Sequence, residues 1–414
     1  MKLSKILIAT VATFLIANFG LFAQSDAFSI KFMGFIKTDA FYNTRNMVSI
    51  REDHITLWPS SKNLDKNGKD LDEVGNFHIL SIQTRLGAKI DGPGIFGGKT
   101  SGYIETEFLG TRDADINSLR LRHAYVDLIF DNTTIRAGQS WHPLFATENF
   151  PDVLNFNTGI PLIPFNRSPQ IKLMQKFDNI NVFAAINTQR DFTIDGPGGY
   201  SSKYVRNSGI PEASFGINYS TPQFYAGVAA SAKTFRPFTY YTAGTDRYKN
   251  EDKATTISAS ANIKVKIDKF QIKAQGNYFQ NNPDFLTIGG YGIKSIDNVN
   301  HKYEFTPISS FAGWMELMYK DEWEYGIVGG YLQNLGAADD IATSGSVYGR
   351  GLDIEKIIKV FPRIAYNYNK TKIGFETEWT SAYYGKKISP ANKKVEDSEA
   401  VNSLRFLLVF YLFF

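Results

Sequence analysis

Apolar and polar residues alternate one by one along most of this chain. The pattern is cleanest from Thr255 to Ile267. Ile257, Ala259, Ala261, Ile263, Val265 and Ile267 share one parity, while Thr256, Ser258, Ser260, Asn262, Lys264 and Lys266 share the other. A period of two marks a β-strand whose two faces meet different surroundings. The next run repeats it, with Phe270, Ile272, Ala274 and Tyr278 on one face and Gln271, Lys273, Gln275 and Asn277 on the other. Sixteen runs of this kind are predicted, near 28–42, 77–90, 99–110, 117–130, 133–141, 170–177, 180–189, 213–220, 224–234, 254–267, 269–280, 309–320, 323–333, 358–368, 371–384 and 402–414.

The connectors fall into two classes. Asp131-Asn132, Asp178-Asn179, Thr221-Pro222, Asp268-Lys269, Asp321-Glu322 and Asn369-Lys370 are short and built from residues that tolerate turn geometry. Long polar loops lie between them. Short turns at one end and long loops at the other predict an all-β fold, a transmembrane antiparallel β-barrel with periplasmic turns and extracellular loops. Sixteen strands leave a water-filled interior, whereas eight would be packed shut. Tyr42, Trp141, Tyr219, Tyr319, Trp323, Tyr331, Tyr368, Trp379 and Tyr383 fall near strand ends, as interfacial aromatic girdles require.

Both chain ends agree. Lys2 and Lys5 precede an apolar run from Ile6 to Phe22, and Leu21-Phe22-Ala23 forms a small-residue cleavage site, so residues 1–23 are expected to be a signal peptide and 24–414 the barrel. At the other end Leu404, Phe406, Leu408, Phe410, Leu412 and Phe414 share one face. Ending on Phe with apolar residues at alternate positions resembles the outer-membrane insertion signal read by the barrel-insertion machinery. The opposite face (Leu407, Val409, Tyr411, Phe413) is apolar too, so something inside must cover it.

Composition narrows the function. The chain has no cysteine, which removes disulfides, thiol catalysis and cysteine-ligated metals. Its formal charge of +4, of which Lys2 and Lys5 supply two, is too small for nucleic-acid binding. The inward parity carries Arg85, Arg120, Arg122, Arg136, Lys172 and Arg363, together with Lys31, Lys37, Lys264 and Lys273. A row of guanidinium groups in a narrow aqueous pore attracts anions. Acids share that face: Asp39, Glu105, Glu107, Glu316, Glu376 and Glu378. The loop 142–169 is long and apolar, and holds Glu148, Asp152 and Arg167. It is expected to fold into the lumen and constrict it opposite the arginines. His123, Asp127 and Gln139 break the outward apolar pattern of their strands; contact with a neighbouring barrel would hide them, and a bulge would turn them inward.

The segments LSIQTRLGAKI (80–90), GYIETEFLG (102–110), NSLRLRHAYVDLIF (117–130) and RAGQSWHPLF (136–145) resemble the N-terminal half of Gram-negative porins of the DcaP-like type. The resemblance covers 28–170. It implies a homotrimer of sixteen-stranded channels in the bacterial outer membrane, surrounded by lipid and favouring small anionic solutes such as dicarboxylates. The basic pore residues it implies are Arg85, Arg120, Arg122 and Arg136.

Other motifs carry less. Gly92-x-Gly94-x-x-Gly97 is followed by a strand, not by the helix N-terminus that phosphate binding needs. Asp65, Asn67, Asp70 and Asp72 form a candidate calcium loop without the glutamate expected at its twelfth position. His142 with Ser140 is the one close histidine–serine pair. The expectation is therefore passive diffusion of small hydrophilic solutes, without cofactor or catalysis. The alternatives are a phosphate-specific channel, or a blocked barrel acting as a surface adhesin or enzyme.

Overall fold

A computed structural model describes residues 28–343 and 346–414. The predicted signal peptide lies outside them. Sixteen antiparallel strands close into a barrel. In chain order they are β1 (Ser29–Asn43), β2 (Asn76–Leu80 and Arg85–Ile95), β3 (Gly98–Glu107), β4 (Arg120–Ile129), β5 (Thr133–Trp141), β6 (Arg167–Phe177), β7 (Ile180–Asn187) and β8 (Glu212–Ser220). The second half is β9 (Phe224–Phe235), β10 (Ala254–Ile267), β11 (Phe270–Gln280), β12 (Lys302–Lys320), β13 (Trp323–Ala337), β14 (Ile354–Tyr368), β15 (Thr371–Ile388) and β16 (Val395–Phe413). β1 pairs with β16 from Phe35↔Phe413 to Asn43↔Arg405, which leaves no free edge. Among the described residues no helix is long and apolar enough to cross a membrane.

Each predicted run corresponds to one strand, and the differences are at the ends. β12 and β16 each run for 19 residues, well past the stretch whose alternation is apolar. Alternation reports only the part of a strand facing lipid, whereas the hydrogen-bonded ladder continues above it. Short strands Gly289–Asp297 and Val347–Arg350 add to the ladder above β12 and β13. Extended hairpins fill parts of the loops at Met47–Ile50 with Ile55–Pro59, and at Tyr240–Ala243 with Asp246–Lys249.

A bulge corrects one expectation. Glu105 faces His123 and Thr106 faces Leu121, so Arg122 is the extra residue on β4. Arg122 and His123 are both buried inside the barrel, and the parity flips below them. Asp127 now points inward, where Arg136 binds it through two hydrogen bonds of 2.8 Å. Gln139 stays on the outer parity, opposite Ala124. Its amide donates to the carbonyls of Leu121 and Arg122, which the bulge takes off the ladder. Asp127 and Gln139 are thereby accounted for within one barrel.

The main core lies inside the barrel. Loop residues Ile55, Leu57, Trp58, Phe156, Ile160, Leu162, Ile163, Phe165, Phe285, Leu286 and Ile288 pack on inward Phe279, Trp314, Val328, Leu332, Ile357 and Phe361. A second cluster covers the inner face of β16, where Leu154 packs with Phe41, Leu407 and Val409. On the outer face Phe406, Leu408, Phe410, Leu412 and Phe414 are exposed to lipid. The parity of β16 gives a direct test. Leu408→Arg should destabilise the barrel by about 2–4 kcal/mol in denaturant titrations in lipid bilayers, the cost of a guanidinium at the bilayer midplane.

Candidate functional site

Loop 142–166 leaves the top of β5, crosses the lumen and lies along the inner face of β10 to β16 and of the adjoining β1. Four lysines of that wall donate to its backbone carbonyls: Lys264 to Glu148, Lys273 to Phe150 and Lys37 to Leu154, each at 2.8 Å, and Lys359 to Ile160 at 3.0 Å. Two wall carboxylates accept from its amides. Glu316 takes the N–H of Asp152 at 2.5 Å, and Glu376 takes those of Leu154 and Asn155 at 2.6 and 3.2 Å. Glu378 pairs with Lys359 at 2.7 Å and receives the Asn155 amide. Small residues make room: a Cβ on Gly330 would meet Leu162, and one on Gly374 would meet Leu154. Glu316, Glu376 and Glu378 are therefore on the inward face as expected, but they are buried under the loop rather than open to solvent.

Asp152 sits in the loop itself. Burial alone would raise its pKa, but Lys273 at 3.1 Å and the ammonium of Lys320 outweigh it and hold the carboxyl well below the usual range. Glu148 is exposed beside Lys264 at 3.7 Å. Arg363 lies apart on β14, bonded to Glu324 at 2.9 Å.

The facing wall is β2 to β6. Glu107 on β3 is its hub. It accepts from Arg85 at 3.2 Å, from Arg122 at 2.7 Å, and from Arg120. Glu105 holds Arg122 at 2.5 Å. Asp191, in the loop after β7, binds Arg167 at 2.5 and 2.8 Å and Arg120 at 3.4 Å. Arg120 and Arg122 are thus buried in an ion-pair network, while Arg85 and Arg136 keep about a fifth and a quarter of their side chains exposed. Lys172 stands beside Arg136 in the register of β5 and β6. Six cations (Arg85, Arg120, Arg122, Arg136, Arg167, Lys172) meet four carboxylates (Glu105, Glu107, Asp127, Asp191), an excess of two positive charges.

Between wall and loop is a cavity of about 560 Å³. Arg85, Arg122, Arg136 and Lys172 line it with Glu105, and Tyr103, Tyr125, Trp141, Phe145 and Phe150 supply its aromatic surface. It adjoins a second cavity of about 310 Å³ bounded by the loop, β6 to β9 and Asn262. Alternation found the arginines but not Arg167, Asp191 or the aromatic lining. Arg167 opens a strand where no pattern has begun, and Asp191 sits in a loop whose polarity says nothing of where it folds.

His142 and Ser140 form no catalytic pair. The His142 ring faces Glu212 at 3.1 Å through Nε2, and its Nδ1 accepts the Leu144 N–H. The candidate calcium loop uses its oxygens internally. Asp65 accepts the N–H groups of Asn67 and Lys69, Asp70 binds Arg45 at 2.7 Å, and Asp72 accepts from Asn46. Among the described residues no group of three or more His, Asp or Glu side chains is placed to hold a metal ion.

No family model and no curated protein matches the sequence. Solved structures do match. The outer membrane channel DcaP of Acinetobacter baumannii superimposes with a TM-score of 0.66 at 16% identity, over 94% of this chain and 98% of that one. The fold is that of an outer-membrane porin. OmpT, an outer membrane protein of Vibrio cholerae solved in a trimer form, gives 0.56 at 11% identity over 94% and 100% of the two chains. An anion-selective porin from Comamonas acidovorans gives 0.53 at 10% identity over 94% and 100%. A closed barrel with an apolar outer face is the architecture of proteins that sit in the bacterial outer membrane.

Two outcomes follow for the porin-fold barrel. Glu316→Gln combined with Glu376→Gln should free the loop, since each lost charge-assisted bond costs about 1.5–3 kcal/mol. The readout is protease cleavage within 142–166 of the folded barrel, which the parent should resist. The second concerns acid. Burial would raise Asp191, but Arg167 and Arg120 more than reverse this and hold its pKa low. A depressed carboxylate contributes stability that is complete above its unfolded pKa of about 3.9 and lost as pH falls through the lower folded value. Asp191→Asn should therefore lower stability at pH 7 and narrow the gap to the parent only in strong acid.

Proposed function

We propose that the protein is a porin for passive diffusion of small hydrophilic solutes, with a preference for anions such as dicarboxylates. The observation that carries this is the cavity between the β2–β6 wall and loop 142–166, whose surroundings hold two more positive than negative charges. Fixed cations beside water in a narrow lumen raise the local anion concentration and oppose cations. In this reading the loop is the constriction, and the arginines with Lys172 form its basic side. The anion-selective porin of the same fold and the DcaP-like sequence segments support the anion preference. A homotrimer rests on that resemblance and on the trimeric OmpT structure, and Phe414 is the proposed recognition residue for barrel insertion.

A blocked barrel is the second reading, and one observation favours it. The loops build a continuous apolar core across the lumen, from Ile55 and Trp58 through Phe156 and Ile160 to Phe285. One measurement separates the two. Purified protein in a planar bilayer under a salt gradient should conduct, with a reversal potential of the sign set by anions. Added dicarboxylate should reduce the chloride current. Absence of conductance would leave the adhesin or enzyme class standing instead.

A further inference from the structure

We infer that Lys172 is the residue that sets the preference for anions, while the arginines chiefly build the wall that carries it. The inference rests on the porin reading above and names the residue through which that site selects.

Each arginine of the wall is tied to a carboxylate: Arg85, Arg120 and Arg122 to Glu107, Arg136 to Asp127, and Arg167 to Asp191. The lysines under the loop are paired too. Lys37 meets Asp39 at 2.9 Å, Lys264 meets Glu148, Lys273 meets Glu316 at 3.3 Å and Lys359 meets Glu378. Apart from the loop, Lys372 meets Glu324 at 3.1 Å. A cation in contact with an anion acts at a distance as a dipole, whose potential falls off faster than that of a lone charge. Arg85, Arg120, Arg122 and Arg167 share three carboxylates, so one of the wall's two excess charges is spread over that largely buried network, and the other is Lys172. Among the described residues Lys172 has no carboxylate within 4.0 Å, and its ammonium rests 4.0 Å from the centre of the Phe183 ring. Its charge is uncompensated at mid-wall. Lys31, Lys99, Lys176 and Lys266 also lack partners, but they sit at the short-turn ends of their strands, where salt and bulk water screen them.

Position adds to this. Lys172 borders both cavities, together with Phe145, Thr147 and Met174, so a solute moving between them passes its ammonium. The local packing keeps it there. Phe183 faces Gly216 across β7 and β8, and a Cβ on Gly216 would lie 2.4 Å from the ring. Glycine leaves the ring free to lie across the strand beneath Lys172, where it attracts the ammonium. Arg136 is the direct neighbour of Lys172 on β5, but its bidentate bond to Asp127 softens the repulsion between them.

The experiment is reversal potential at low ionic strength on the parent protein and on Lys172→Gln, Lys172→Glu and Lys172→Arg, each first shown to be folded by its resistance to unfolding in detergent. One charge beside the ion path acts in opposite senses on anion and cation, so Lys172→Gln should lower their permeability ratio by about fivefold. Lys172→Glu should bring the ratio to unity or below, and Lys172→Arg should preserve it. A parent that favours anions, with a Lys172→Gln variant that keeps the full ratio, overturns the inference and leaves the porin reading intact. A parent without anion preference overturns both.

Discussion

A loop that enters a barrel carries amides and carbonyls that no strand can pair, and burying them unpaired is prohibitive. The rest of the interior follows from how this cost is met. Here the wall meets it with charged side chains. Lys37, Lys264, Lys273 and Lys359 take loop carbonyls, and Glu316 and Glu376 take loop amides. The contacts are to backbone, so they fix the loop's path more than its side chains. Those side chains are then free to be apolar, and Leu154, Phe156, Ile160 and Leu162 pack as a core. The charges of one half of the barrel are absorbed by this task, and the cavity is left against the other half.

That division explains why parity showed so much of the fold and less of the site. Lipid outside and a polar interior give each strand two unlike faces, so Ile257 to Ile267 or Leu404 to Phe414 read directly as strands. Parity also put Arg85, Arg120, Arg122, Glu316 and Glu376 inside. It could not say which of them meet water. Glu376 and Lys359 have the same pattern as Arg136 and Lys172, yet the first two are sealed under the loop and the second two line the cavity. The difference depends on contacts between segments about two hundred residues apart. Nothing local in the sequence records such contacts.

The bulge at Arg122 shows the same limit at shorter range. One extra residue moves His123 and Asp127 from the lipid face to the lumen without changing the composition of the strand. Their polarity is the trace it leaves. Polar residues on a lipid-facing parity are a signal, and their immediate meaning is a change of register; a neighbouring subunit is required only where register cannot account for them. In this chain it does, for Asp127 through Arg136 and for Gln139 through the carbonyls exposed by the bulge.

Charge compensation carries the argument from structure to selectivity. A buried guanidinium is tolerable in the wall because Glu105, Glu107 and Asp191 accompany it. The same acids that let Arg120 and Arg122 be buried also cancel most of their field at the cavity. A row of arginines therefore overstates the potential an ion meets, and the useful quantity is the charge left after pairing. In this wall that remainder lies with the arginine cluster around Glu107, of which Arg85 is the partly exposed member, and with Lys172, which is held by an aromatic ring instead of an acid. An aromatic ring can position a cation without neutralising it, and this is the combination an anion-selecting wall requires.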